Sequence, residues 1–171
     1  MEFRVNDAVL YGTEGVCRIA EIAEQNFMGE SRLYYVLKPI YTGGATIFVP
    51  VDSVALTAKM RRVLSPGEIY ALISTMPNEA TLSLEDDNVR RDHCREILGS
   101  GDRTALVGMI KALYLRKQSQ EARGREFHAV DERFLHDAEK ILYDEFAHVL
   151  KIKRDQVLPF ILEQIEVQTK A

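Results

Sequence analysis

Residues 32–38 read Arg-Leu-Tyr-Tyr-Val-Leu-Lys, and this stretch decides the first half of the fold. Its alternation places Leu33, Tyr35 and Leu37 on one face and Tyr34 and Val36 on the other. Aromatic and β-branched residues in this pattern are typical of a β-strand. Pro39 follows directly, and it ends the predicted strand because proline cannot donate to a central ladder.

Four further short strands are predicted around this one. Apolar residues alternate and turn residues recur at short intervals through the first 60 residues, as β structure requires. A turn at 26–31 closes a hairpin between the second and third strands. Five short strands in so few residues predict a small, strongly bent barrel. The other four are predicted at 5–11, 15–23, 45–49 and 53–56.

The hydrophobic period becomes helical after residue 64. Residues 65–68 read Ser-Pro-Gly-Glu, which combines a capping serine, proline at the first helical position and glutamate at the third. The sequence therefore predicts an α+β protein with two domains, a β-barrel at 1–64 and a compact all-α bundle at 65–171. The predicted helices lie at 66–76, 86–98, from Asp102 towards Gly124, at 129–150, and more weakly up to about 168, with a loop at 78–84.

Composition excludes several classes of protein. The 171 residues carry a net charge of −4 and 46% hydrophobic residues, which describes ordinary globular material rather than a polybasic nucleic-acid coat. No apolar run approaches the ~20 residues of a membrane span, and the charged first residues do not resemble a signal peptide. Cys17 and Cys94 lie far apart, so neither a disulfide framework nor a zinc module is indicated. We expect a cytoplasmic protein with free thiols.

The basic residues concentrate in one stretch. Residues 88–125 carry nine basic side chains against four acidic ones, a local excess of five positive charges. Arginine forks match phosphate oxygens, so the stretch is a candidate surface for nucleic-acid backbone. The alternative is a set of solvated helix faces with local ion pairs. An acidic step at 85–87 lies directly upstream and would repel phosphate.

No motif for catalysis is present. Phosphate-binding loops, a nucleophile elbow and a zincin motif are all absent. His128, Glu132 and His136 share one helix face, but the two histidines are two turns apart, roughly 12 Å of rise, so one helix cannot wrap them around an ion. We expect no catalytic residue, metal site, cofactor or small-molecule substrate. The chain is expected to be a binding protein rather than an enzyme.

The first half resembles the CarD/CdnL family of bacterial transcription regulators. The resemblance rests on residues 3–11, Gly15-Val16 with Ile19, 34–37 and 49–51, and it continues into the helices at 98–102, 113–116 and 134–145. The same barrel type occurs in transcription-repair coupling factors. The resemblance implies a small Tudor/SH3-like β-barrel, and it spans about residues 1–150.

Such barrels dock on the β subunit of RNA polymerase by adding a strand to an open sheet edge. The resemblance places Gln25, Asn26, Phe27, Ile47 and Phe48 on that polymerase-binding edge. The alternative for Phe27 and Phe48 is that they fill the barrel core, because only one face of each strand can point outward.

The helical half of the family implies contact with promoter DNA at the upstream edge of the melted bubble, partly through a tryptophan wedged into the minor groove. This chain has no tryptophan, and the matching position falls at about Asp87, where a carboxylate is repelled by phosphate. Phosphate contacts are still expected from a set of basic residues. They are Arg90, which matches a basic family position, with Arg91, Arg95, Arg116 and Lys117.

The sequence thus predicts a transcription regulator that binds the polymerase β subunit through its barrel. Its helical domain is expected to contact promoter DNA weakly and to modulate open-complex stability. A second hypothesis is an adaptor that binds polymerase, or another protein, without touching DNA. A third, less favoured, is a metal-dependent enzyme that uses His128 or His136.

Overall fold

The protein is described here by a computed structural model that covers residues 2–78 and 86–170. The chain divides into two compact units, Met1–Val63 and Leu64–Ala171. The first is built on a β-sheet and the second on helices.

The N-terminal unit is a five-stranded antiparallel sheet. Its strands lie in the order β4-β3-β2-β1-β5, so β4 and β5 form the two edges. The long central strands β2 and β3 pair over most of their length. The strands are β1 (Ala8–Tyr11), β2 (Val16–Phe27), β3 (Glu30–Pro39), β4 (Ile47–Pro50) and β5 (Met60–Arg62).

The predicted barrel is wrong in one respect, because the sheet is open: within residues 2–78, β4 and β5 do not pair with each other. The predicted strand at 53–56 is instead a short helix, α1 (Val54–Thr57). Ser53 begins it, since the side-chain oxygen of Ser53 accepts a hydrogen bond from the Leu56 N–H. The chain therefore turns before β5, which pairs only with β1.

A two-residue turn closes the β2–β3 hairpin. Phe27 pairs with Glu30, and the connecting Met28 and Gly29 have φ angles of 54° and 82°. Two successive positive φ angles are characteristic of the two-residue turn whose backbone twist matches the right-handed twist of the strands that it joins. The turn fixes the register of the sheet, which determines the side chains that share each face.

One face of the sheet carries the core of this unit. Phe3 packs edge-on against Tyr35, with ring centroids 6.0 Å apart. Tyr34 and Val36 are also buried, although they lie on the opposite face from Tyr35 and Leu37. The buried core cluster comprises Phe3, Val9, Cys17, Ile19, Tyr35, Leu37, Val49 and Met60.

The C-terminal unit contains five helices among the described residues. The predicted fourth helix has the bounds 129–150 that the sequence indicated, and the others agree to within a few residues. The loop predicted at 78–84 lies almost entirely outside the described residues. The helices are α2 (Pro66–Thr75), α3 (Asp87–Ser100), α4 (Arg103–Ala122), α5 (Ala129–Leu150) and α6 (Val157–Lys170).

Side-chain caps begin three of these helices. Ser65 and Glu68 form the predicted capping box at α2. Asp86 accepts hydrogen bonds from two backbone N–H groups of α3, and Asp102 accepts one from Ala105 at 3.1 Å at the start of α4. Gly101 has a φ of 72°, which ends α3 in the left-handed conformation that favours glycine.

We expect Asp102→Ala to lower the free energy of unfolding of the helical unit by about 1 kcal/mol, because it removes the N-terminal cap of α4. Chemical denaturation followed by helix circular dichroism measures this change. Glu121→Ala, an exposed substitution near the other end of α4, is the matched control. Equal effects of the two substitutions would contradict a capping role.

Both cysteines are buried as free thiols. Burial raises the pKa of Cys17 to about 12 and the pKa of Cys94 to about 11. The thiolate is the reactive form, so the folded protein should resist alkylation by iodoacetamide at pH 8, while the denatured chain should react at both positions. Mass spectrometry measures the labelling. Rapid labelling of either thiol in the folded protein would contradict this expectation.

Within the part of the chain that the structure describes, no helix is long and apolar enough to cross a membrane.

Candidate functional site

Three aromatic rings form a cluster beside the open edge of the sheet. The ring centroid of Phe27 lies 5.3 Å from that of Tyr34 and 5.2 Å from that of Phe48, and the Tyr34 and Phe48 centroids are 6.2 Å apart. All three contacts are edge-to-face, the arrangement that aromatic quadrupoles favour. We call Phe27, Tyr34 and Phe48 the aromatic cluster.

The aromatic cluster presents two of its rings to solvent. Phe27 is 42% exposed and Phe48 is 39% exposed, while Tyr34 beneath them is buried. The alternative that Phe27 and Phe48 fill the sheet core is therefore wrong. Large aromatic side chains held rigidly at a surface are the residue type that dominates protein interfaces.

The other three residues predicted at this edge have different surroundings. Gln25 and Asn26 pair with Arg32 and Ser31 near the hairpin turn, and Asn26 is exposed whereas Gln25 is half-buried. Ile47 packs against the core cluster. Ile47 therefore holds strand β4 in place, and its neighbour Phe48 carries the exposed ring.

The hydrogen bonds between β3 and β4 determine which backbone N–H and C=O groups of β4 point towards the open edge. The Val51 N–H donates to the Leu33 carbonyl at 3.0 Å, and the register pairs Tyr35 with Val49 and Val36 with Phe48. Hydrogen-bonded and non-hydrogen-bonded pairs alternate along an antiparallel ladder. Val49 therefore bonds to β3, while Phe48 directs its N–H and C=O groups towards the open edge.

Pro50 limits this edge. It occupies the next outward-facing position on β4, but proline has no N–H group. The edge therefore offers a donor and an acceptor at Phe48 and only an acceptor at Pro50. A strand of another protein can pair here over a short length, with its side chains against the aromatic cluster.

The basic stretch at 88–125 is largely neutralised by acids that are distant in sequence. Four of its side chains form ion pairs with α5, which contributes Asp131, Glu132 and Glu145. The excess of positive charge at the surface is therefore smaller than the sequence of this stretch indicates. The four are Arg90, Arg103, Arg116 and Lys117.

Arg90 lies at the centre of a buried ion cluster. Its Nε and Nη2 atoms donate to the two carboxylate oxygens of Asp131 at 3.1 and 3.0 Å, and its Nη1 atom donates to Asp87 at 2.6 Å. The Arg90 and Asp131 side chains are both fully buried. Burial lowers the pKa of Arg90, but these hydrogen bonds outweigh it and leave that pKa above its usual value.

The predicted phosphate contact from Arg90 is therefore wrong. All three guanidinium nitrogens are engaged, and the residue is only 1% exposed. Breaking the pairing would take the bidentate partner from the fully buried Asp131 carboxylate, which costs far more than a surface phosphate contact returns. Arg90 holds α3 against α5 instead.

Asp87 and Arg116 complete this cluster. The Arg116 guanidinium lies 3.5 Å from Asp131 and 3.8 Å from Asp87. The hydrogen bond from Arg90 lowers the pKa of Asp87. A lowered pKa means that this pair stabilises the fold above about pH 4 and that the contribution is lost as the pH falls further. The negative charge of Asp87 is therefore compensated by Arg90 and Arg116.

The remaining predicted DNA-binding residues are more accessible. Arg95 is exposed, pairs with Asp92 at 3.0 Å and stacks 5.7 Å from the centroid of the Phe134 ring. Lys117 is half-buried and pairs with Glu132 at 3.1 Å. Arg91 is half-buried, and its Nε atom has no hydrogen-bond partner among the described residues.

The histidine pair has no metal-binding geometry. Glu132, which lies between His128 and His136, is engaged by Lys117. Among residues 2–78 and 86–170, no three histidine, cysteine, aspartate or glutamate side chains lie close enough to hold an ion.

Two residues that matter here were not identified from the sequence. The sequence places Tyr34 in a strand, on the face opposite to Tyr35, but nothing in the alternation indicates that its ring packs against Phe27 and Phe48. Asp131 carried no signal, since an acid in the first turn of a helix is common for electrostatic reasons alone.

One comparison with known proteins bears on this unit. Residues 3–64 match the family model described as the CarD-like/TRCF RID domain. The match confirms the resemblance over the N-terminal unit and indicates a transcription-related protein that interacts with RNA polymerase. It ends where the helical unit begins, so the resemblance of residues 65–150 stays a prediction.

Proposed function

We propose, from the premise that residues 3–64 are a CarD-like RNA polymerase-interacting domain, that this chain is a transcription regulator docked on the polymerase β subunit. The observation that carries the proposal is the β4 edge, where the outward backbone groups of Phe48 lie beside the exposed aromatic cluster. An edge strand of the β subunit would pair with Phe48 and place an apolar side chain on the rings. Such a protein would work in the bacterial cytoplasm, where the polymerase is.

The docking partner is tested by binding the full chain to isolated polymerase subunits. We expect saturable binding to the β subunit and to core polymerase, and none to the α subunit under the same conditions. Binding to core polymerase without binding to β would contradict the proposed partner. Calorimetry gives the stoichiometry, which should be one chain per β subunit.

The docked helical unit would contact promoter DNA only weakly and so tune the stability of the open complex. Tethering makes weak contacts sufficient, because the second contact becomes intramolecular at high effective concentration. Arg91, Arg123 and Arg125 are the members of the basic stretch with no ion pair to other described residues and no carbonyl partner for their side chains. They replace Arg90 as the proposed phosphate contacts.

An adaptor without DNA contact is the second candidate, and the ion pairs to α5 favour it. Salt dependence separates the two. Each phosphate contact contributes about −0.9 to the slope of log K against log salt concentration on duplex DNA.

We expect the triple variant Arg91→Gln, Arg123→Gln, Arg125→Gln to flatten that slope by about two to three units in a polymerase–promoter complex. Arg133→Gln, an exposed change on α5, serves as the control. An unchanged slope would favour the adaptor over the DNA-contacting regulator.

A further inference from the structure

The segment that precedes β4 leaves backbone groups unpaired next to the open edge of the sheet. Gly44, Ala45 and Thr46 are exposed, and they form no backbone hydrogen bond with the described residues. Their φ angles are negative, whereas Gly43, with a φ of 56°, makes the turn before them. The three residues can therefore adopt an extended conformation without entering the left-handed region.

Pro39 explains why β4 begins only at Ile47. The register pairs Leu37 with Ile47, and the next hydrogen-bonded pair of this ladder would join Pro39 to Ala45. Proline has no N–H group to donate to that pair. The other side of β3 remains paired, since the Ile40 N–H donates to a carbonyl of β2 at 3.1 Å. The missing donor therefore lies on the β4 side, and it ends the ladder there.

The outer side of the segment does not depend on Pro39. A methyl group built on Gly44 would lie 4.0 Å from the Cγ atom of Pro39, so the segment runs beside the end of β3. In an extended chain, alternation gives Gly44 and Thr46 the same orientation as Phe48, with N–H and C=O groups towards the open edge. Because Pro50 limits the edge at its other end, a docked strand gains further hydrogen bonds only in the direction of Thr46 and Gly44.

We propose that the docking strand of the polymerase β subunit pairs with residues 44–48 and thereby turns the segment 44–46 into an extension of β4. This inference rests on the proposed function, and it adds the register of docking. Each further pair adds hydrogen bonds, but it also fixes the backbone of the segment, which costs conformational entropy. The extension therefore forms only with a partner whose side chains also contact the aromatic cluster.

Thr46→Pro should weaken binding of the full chain to the isolated β subunit at least tenfold in calorimetry, because it removes an N–H group from the outer side of the segment. The melting temperature should not change, since this N–H makes no hydrogen bond within the described part of the free chain. Thr42→Pro places the same ring in the same exposed loop, outside residues 44–48, and it should bind as the unchanged chain does.

Thr46→Ala separates the backbone group from the side chain, because alanine keeps the N–H. A loss of affinity in Thr46→Ala as large as that in Thr46→Pro would overturn the assignment to backbone pairing. Equal losses in Thr46→Pro and Thr42→Pro would overturn it as well.

Hydrogen exchange locates the pairing without any substitution. Exchange proceeds in the complex with the β subunit, and the amides are then read by NMR on the released chain. We expect the Gly44 and Thr46 amides to exchange at least tenfold more slowly in the complex than in the free chain, together with the amide of Phe48. Protection of Phe48 without protection of Thr46 would overturn the inference.

This inference and the proposed function fail in different ways. If Thr46→Pro bound at full strength while Phe48→Glu bound weakly, the pairing at 44–46 would be overturned and the proposed partner would stand. If the unchanged chain did not bind the β subunit at all, the proposed function would be overturned, and the inference with it.

Discussion

Phe48→Glu should weaken binding of the chain to the polymerase β subunit by at least a hundredfold, about 2.7 kcal/mol, while the sheet remains folded. Phe48 supplies the exposed ring and also the outward backbone groups of β4. A carboxylate in its place must lose its hydration when a partner covers the edge, and buried aromatic anchors carry most of the energy of such interfaces. Calorimetry or surface plasmon resonance measures the change.

Two further variants make this result interpretable. Phe27→Glu removes a ring of the aromatic cluster from β2 without altering β4, and it should weaken binding at least tenfold. Val54→Glu makes a similar change at a side chain that is 84% exposed on α1 and is not part of the aromatic cluster, and it should have no effect. Full affinity in Phe48→Glu, with an unchanged melting temperature, would mean that the partner docks elsewhere.

Asp131→Ala should lower the free energy of unfolding of the helical unit by about 3–5 kcal/mol, the largest effect expected of a single change in this unit. The substitution leaves the Arg90 guanidinium fully buried with its bidentate partner gone. Denaturant titration followed by helix circular dichroism measures the loss. The neighbouring Glu132→Ala breaks an exposed pair with Lys117 and should cost less than about 1 kcal/mol.

A double variant separates the desolvated charge from the packing. Replacing both partners, Arg90→Met with Asp131→Leu, removes the stranded charge and should recover part of the stability lost in Asp131→Ala. Arg116 and Asp87 would then pair more closely with each other. A double variant that is less stable than Asp131→Ala would show that the ion cluster contributes through its geometry rather than by avoiding an unpaired charge.

Local signals predicted the elements well. The capping box at Ser65, the cap at Asp102 and the apolar spacing of α5 depend on residues within a few positions of one another, so the sequence contains the information needed to place them. The prediction of a strand at 53–56 is wrong because the alternation there is short, and because the Ser53 cap favours a helical turn instead.

The prediction of a positively charged surface at residues 88–125 failed for a different reason. Arg90 and Asp131 are separated by 41 positions, and no pattern along the chain says that their side chains meet. A sum over residues 88–125 counts the arginines but omits the acids that α5 contributes. The surface potential of a helical bundle depends on which helices are neighbours, and that is a tertiary property.

The aromatic cluster could be predicted from the sequence only in part. The resemblance placed Phe27 and Phe48 at one edge, but alternation could not decide which face of each strand was outside. The register does decide it: pairing of Val36 with Phe48 sets the Phe48 ring on the face opposite to Tyr35.

Pro50 has a consequence for self-association. An open strand with regular donors and acceptors can recruit copies of itself and grow into larger sheets, which is a hazard for any protein with an uncovered edge. Here the ladder is interrupted one pair beyond Phe48, since Pro50 lacks the N–H that a growing sheet needs. Another copy of the chain that pairs with β4 would therefore gain few hydrogen bonds, which disfavours fibril formation at this edge. A strand pairs there favourably only if its side chains also fit the rings of the aromatic cluster.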